Sequence, residues 1–171
     1  MKPAPFVLLG ALLFAVTGPL VPMVSLGVER ALETGSTAAL ASALALSPLS
    51  YLLGAGLAFF YGVVTSLLFV TAAAVKPGLP AASWPTRLLA GIAIGSTAYM
   101  LLSLIVGEFP RHLRFVLEWT LPREGLWQAV VGLWRLERPR LQLFGTPTLT
   151  CALLTAALLL PKLEAPKLLR T

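Results

Sequence analysis

The side chains with the most reactive potential gather in one short stretch of this 171-residue chain: Glu108, Arg111, His112, Arg114 and Glu118. Two guanidiniums three residues apart can grip a phosphate, such as a lipid headgroup, because their planar forks match its geometry. An imidazole titrates near neutral pH, so His112 beside them could act as an acid or base. That combination would suit an interfacial lipid-modifying enzyme. The plainer reading is a solvated helix face on which Arg114 and Glu118 form an i,i+4 pair. We prefer it, because the sequence offers His112 no second carboxylate–histidine pair and no catalytic residue stands out.

The remaining inventory narrows the chemistry further. His112 and Cys151 are the sole histidine and cysteine, and there is no Asp or Asn. Zinc, haem and iron–sulfur centres draw on several His or Cys ligands, so no metal site and no cofactor is expected within one chain. Cys151 lies in the apolar run 149–160, where a thiol behaves as a small hydrophobe. Neither a GxGxxG nor a GxxxxGK[ST] phosphate-binding loop occurs.

The elements that position these residues follow from composition. The chain is 57% hydrophobic and only 12% charged, with mean hydropathy +0.86. Soluble domains carry about 25% charged residues, so this chain cannot coat a water-facing surface. An all-α integral membrane protein is the expected class. The net charge of +6 sits at the ends of apolar runs, where basic residues meet anionic headgroups. The lipid bilayer, not nucleic acid, is therefore the expected partner, and the cytoplasmic membrane of a bacterium the expected location.

Crossing a hydrocarbon core about 30 Å thick takes about 20 helical residues. Four runs qualify within a single membrane domain covering residues 1–171: 5–28, 48–75, 85–107 and 141–160. Ser47-Pro48 and Thr146-Pro147 each place a capping hydroxyl before a proline at a helix start. Trp84 sits where an indole prefers the headgroup level. Gly18-Pro19 and Pro22 fall near the middle of the first run and predict a kink or a short break. Such breaks are commonly tolerated and sometimes mark binding sites in transporters. Lys2 followed by Phe6 to Val16 imitates a secretory signal, but the run continues through Val28, so a retained anchor is expected.

Residues 34–47 form an uncharged Ala/Leu/Ser-rich stretch too short to span, suited to an interfacial or re-entrant position. If it joined the next run, the chain would turn at Gly54-Ala55-Gly56 and cross five times; four crossings are preferred. Residues 108–140 hold eleven of the 21 ionisable side chains. Two short amphipathic helices are expected there, opening at Pro110 and Pro122, between the third and last spans. On the second, Trp127, Val130, Val131 and Trp134 fall at i, i+3, i+4 and i+7, one face. That face suits either the membrane surface or the protein's own bundle. Cations divide six to seven between the two sides of a four-span arrangement, so charge leaves the orientation open.

Helices in lipid associate through small residues. Ser50, Gly54, Ala58, Gly62 and Ser66 recur every fourth residue on the second span, and Gly91 and Gly95 form a GxxxG on the third. These grooves are expected to hold helices together, within the chain or in a homo-oligomer or larger membrane complex. The span middles carry no ionisable residue, which argues against an ion-coupled pump. The leading expectation is a structural or accessory subunit or scaffold acting through helix–helix contacts. The alternative is a transport component for a neutral or weakly polar solute, with its cavity lined by the Gly18-Pro19/Pro22 break and by Ser96 and Thr97.

Overall fold

A computed structural model describes residues 1–36, 38, 48–106 and 108–164. Most of the 34–47 stretch, Ser47 included, lies outside the described residues, as do Gly107 and 165–171. The described residues are 89% helical, without strands, and four of the helices are long and apolar enough to cross a membrane.

The first of these is interrupted at two residues, although their backbone stays in the right-handed helical region. Helix α1 (Pro3–Thr17) and helix α2 (Leu20–Thr34) are separated at Gly18-Pro19. Proline has no N–H to donate to the preceding turn, and its ring crowds that turn. Pro22 falls in the first turn of α2, where the missing donor costs nothing. The helix does not stop at Glu29 and Arg30, as the end of the apolar run suggested. Charge ends a membrane-compatible run but not a helix; α2 stops at Gly35, whose left-handed backbone (φ 66°) closes the last turn.

Helix α3 (Pro48–Val75) is continuous over 28 residues, so the turn considered at Gly54-Ala55-Gly56 does not form. Helix α4 (Trp84–Val106) begins beside Ser83, whose hydroxyl lies 2.9 Å from that of Thr86. Its 22-residue apolar part, Trp84–Ile105, is about 33 Å long at 1.5 Å per residue, close to the hydrocarbon thickness.

Residues 108–140 depart from expectation in two ways. Helix α5 (Glu108–Phe115) passes through a π-helical turn (Val116–Thr120) into helix α6 (Leu121–Arg140), and the chain breaks inside α6 at Gly125, not at Pro122. Gly125 has φ 82° and ψ 174°, a region essentially reserved for glycine, whereas Pro122 sits comfortably in a first turn. After Gly125 the helix does not end before the last span either. It runs through Pro139, a π-helical turn (Leu141–Gly145) and helix α7 (Thr146–Leu154), giving 38 helical residues from Gly125 to Lys162. The wider π-helical turn begins two residues beyond Pro139.

The core lies where α1, α3 and α7 meet. Phe6 and Phe69 are buried edge to face, with ring centroids 6.4 Å apart. The Thr17 hydroxyl donates to Leu13 O at 2.6 Å and lies 3.1 Å from Cys151 Sγ, linking the end of α1 to α7. The Met1 ammonium contacts the Lys162 carbonyl and the Glu164 carboxylate. The outer ends of the first and last spans therefore lie on one side, as four crossings require and five would not.

Candidate functional site

The small-residue ridge on α3 is filled by the chain itself. A Cβ at Gly62 would stand 2.7 Å from Ala11 Cα and from Phe14 Cβ, and the Ala58 Cβ lies 2.7 Å from the position a Cβ on Gly18 would take. Ser66 is fully buried against Gly10. Ser50 lies in the first turn of the same helix. On α4, Gly91 and Gly95 receive the last span: added methyls would sit 3.0 Å from Ala156 Cβ and 2.9 Å from Ala152 Cβ. Both grooves considered for contacts between subunits are thus occupied by α1 and by the α7 region.

At Gly54 this close approach ends. Its nearest neighbour would be Pro19 at 3.4 Å, an ordinary contact distance. Beyond that point α2 diverges from α3 and leaves a slot of about 380 Å³. One wall is the ridge Phe14, Gly18, Pro22, Leu26 and Arg30, each four residues from the next, crossing the break in the first span. The opposite wall is Tyr51, Gly54, Leu57 and Tyr61 of α3; Phe144 and Thr148 close the side toward the last span. Tyr61 and Phe144 stack at 6.1 Å with their planes 12° apart.

Polar groups on these walls are largely committed elsewhere. Tyr51 donates to Val16 O at 2.8 Å, supplying a partner in the last turn of α1 that the break leaves short of donors. Thr148 donates to Phe144 O at 2.6 Å. Arg30 is the one charged residue on the wall and makes no ion pair among the described residues. Its neighbour Glu29 instead accepts from Arg138 Nη2 at 2.6 Å and from Gln142 Nε2 at 3.2 Å, tying α2 to the helix leading into the last span. Ser96 and Thr97, expected at such a cavity, are exposed on another face of α4, and Thr97 donates back to Ala93 O.

The ionisable cluster separates into two pairs. Arg114 is held by Glu118 at 2.7 Å, which raises the guanidinium's pKa above its usual value and engages the fork that a lipid phosphate would need. Arg111 is exposed on the same helix. His112 pairs with a residue sequence reasoning did not connect to it: its Nδ1 lies 2.6 Å from Oε1 of Glu137, which is only 6% exposed. The signal was present in the spacing. A hairpin folded at Gly125 brings together residues nearly equidistant from it, and 112 and 137 lie 13 and 12 positions away. Ala129 and Glu137 face the inside of that hairpin and are buried. Trp127 (74% exposed), Val130 and Trp134 (58%) face outward and are uncovered.

No group of three or more metal-binding side chains occurs among the described residues. The fold and site together define an all-helical protein with four membrane-compatible spans and an apolar slot at a broken helix. Comparison with protein-family models, with curated proteins and with solved structures finds no match.

Proposed function

We propose that this chain is a small multi-pass membrane protein that binds a largely apolar, weakly polar molecule within the bilayer, as the binding or transport component of its system. The slot beside the broken first span carries this reading. Its volume of about 380 Å³ falls within the range of about 300–1,000 Å³ usual for small-molecule sites, and its walls combine apolar and aromatic side chains with few polar groups. It lies at an interrupted span, a feature that marks binding sites in some transporters.

Filling the slot tests the proposal. A Cβ at position 54 meets only Pro19, at ordinary contact distance, and Gly54 lines the slot, so a leucine there should occupy it. Proteoliposomes carrying the wild-type chain should take up or retain at least one of a panel of radiolabelled neutral, weakly polar solutes. Gly54→Leu should lower that signal about tenfold, the effect of losing about 1.4 kcal/mol of binding, with unchanged helical circular dichroism. No signal from the wild type across the panel, or an unaffected Gly54→Leu variant, would refute it.

The accessory-subunit reading keeps support from a different surface. The uncovered Trp127, Val130 and Trp134 face has the aromatic composition of a contact patch, at the membrane surface or on another subunit. Trp127→Ala with Trp134→Ala should then release the protein from a co-purifying partner while leaving Gly54-dependent binding intact.

A further inference from the structure

The slot's lining extends along much of the first span, and its one charged residue, Arg30, lies at one end of that lining. Along the first span its wall runs from Phe14 to Arg30, sixteen residue steps, or about 24 Å of helix at 1.5 Å per residue. A volume of about 380 Å³ spread over that length suits an extended chain better than a compact ring system. Away from Arg30 the lining includes Phe14, Tyr61 and Phe144, and the hydroxyls of Tyr51 and Thr148 are already bonded to backbone carbonyls. Arg30 differs from all of these. It is exposed, its guanidinium has no ion-pair partner among the described residues, and Glu29 beside it is engaged by Arg138 and Gln142. The slot thus offers an apolar track leading to one uncompensated cation with a forked donor array, which recognises carboxylate or phosphate.

We propose that the occupant is a single-chain amphiphile with one anionic head, its head on Arg30 and its hydrocarbon chain directed along the slot toward Phe14. The inference rests on the binding reading above and names the ligand class for the same site. The shared chemistry is an acyl or alkyl chain ending in a carboxylate or phosphate. A free fatty-acid-like molecule and one leaflet lipid inserting a chain would both present it.

The test uses the full chain in nanodiscs of zwitterionic phosphatidylcholine, with radiolabelled decanol, decanoate and decyl phosphate as probes. Decanol should bind the wild type, and the two anions should bind about tenfold more tightly, as one charge-assisted contact provides. Arg30→Gln should abolish that preference and leave decanol binding unchanged, whereas Lys76→Gln, a cation remote from the slot, should preserve it. Equal affinities for all three probes in the wild type, or a preference that survives Arg30→Gln, would overturn the anionic head while leaving the slot as a binding site. Failure of decanol as well as both anions would overturn the slot reading itself. Repeating the titration in phosphatidylglycerol nanodiscs separates the two sources. Competition by the disc lipid, lost in Arg30→Gln, identifies a bilayer lipid; undiminished decyl phosphate binding identifies a free amphiphile, and either result supports the proposal.

Discussion

At position 62 a side chain has no room, and at position 56 it has plenty. A Cβ on Gly62 would press on Ala11 Cα, a backbone atom that cannot swing aside, whereas a Cβ on Gly56 would meet nothing within 4 Å. Gly62→Leu should therefore destabilise the α1–α3 contact by about 1–3 kcal/mol, and Gly56→Leu should be nearly silent. Thermal unfolding in detergent compares the two; equal melting shifts would contradict the packing described. The ion pairs differ in the same way. His112→Ala leaves the buried Glu137 side chain without its hydrogen-bond partner, a loss of about 1–3 kcal/mol. Arg114→Ala removes an exposed, solvent-screened pair and should leave the melting temperature nearly unchanged. A larger effect at Arg114 than at His112 would reverse this ranking.

Among the elements, the two interruptions are set by different residues, and their legibility differs accordingly. The break at Gly18-Pro19 could be read from the sequence because proline's missing donor acts locally and needs no tertiary knowledge. The slot beside it could not, since its opposite wall comes from α3 and its side from the last span. Ser96 and Thr97 looked suitable as polar lining, yet the rotation of α4 turns them outward, because Gly91 and Gly95 must face Ala152 and Ala156. In the 108–140 segment Pro122 was the stronger punctuation mark, but a proline in a first turn continues a helix, while Gly125 adopts a backbone only glycine tolerates well. Glu137 escaped notice for the same reason: without the Gly125 fold it is 25 residues from His112. Gly125→Ala should cost about 1–3 kcal/mol and open the hairpin, seen as faster proteolysis within residues 108–140. Unchanged cleavage would show that the reversal does not depend on glycine's backbone freedom.

Over the whole molecule, the apolar surface far exceeds what the fold covers. In the most apolar 18-residue window of α4 only 22% of residues are buried inside the protein, and Leu52, Phe60, Leu89, Ile92 and Ile105 all point outward. Soluble proteins do not leave patches of this extent uncovered. Helices, whose backbone hydrogen bonds are internal, are the form in which such a chain can reside in hydrocarbon. Lipid covering these faces is the condition on which the slot, the break and the small-residue contacts acquire their roles. Nitroxide labels at Phe60→Cys and Ile92→Cys, each in a Cys151→Ser background and reconstituted in liposomes, measure it directly by collision with oxygen or with a water-soluble nickel chelate. Strong oxygen contact and weak nickel contact are expected at both positions. The reverse at both would mean that these faces meet water, and would contradict it.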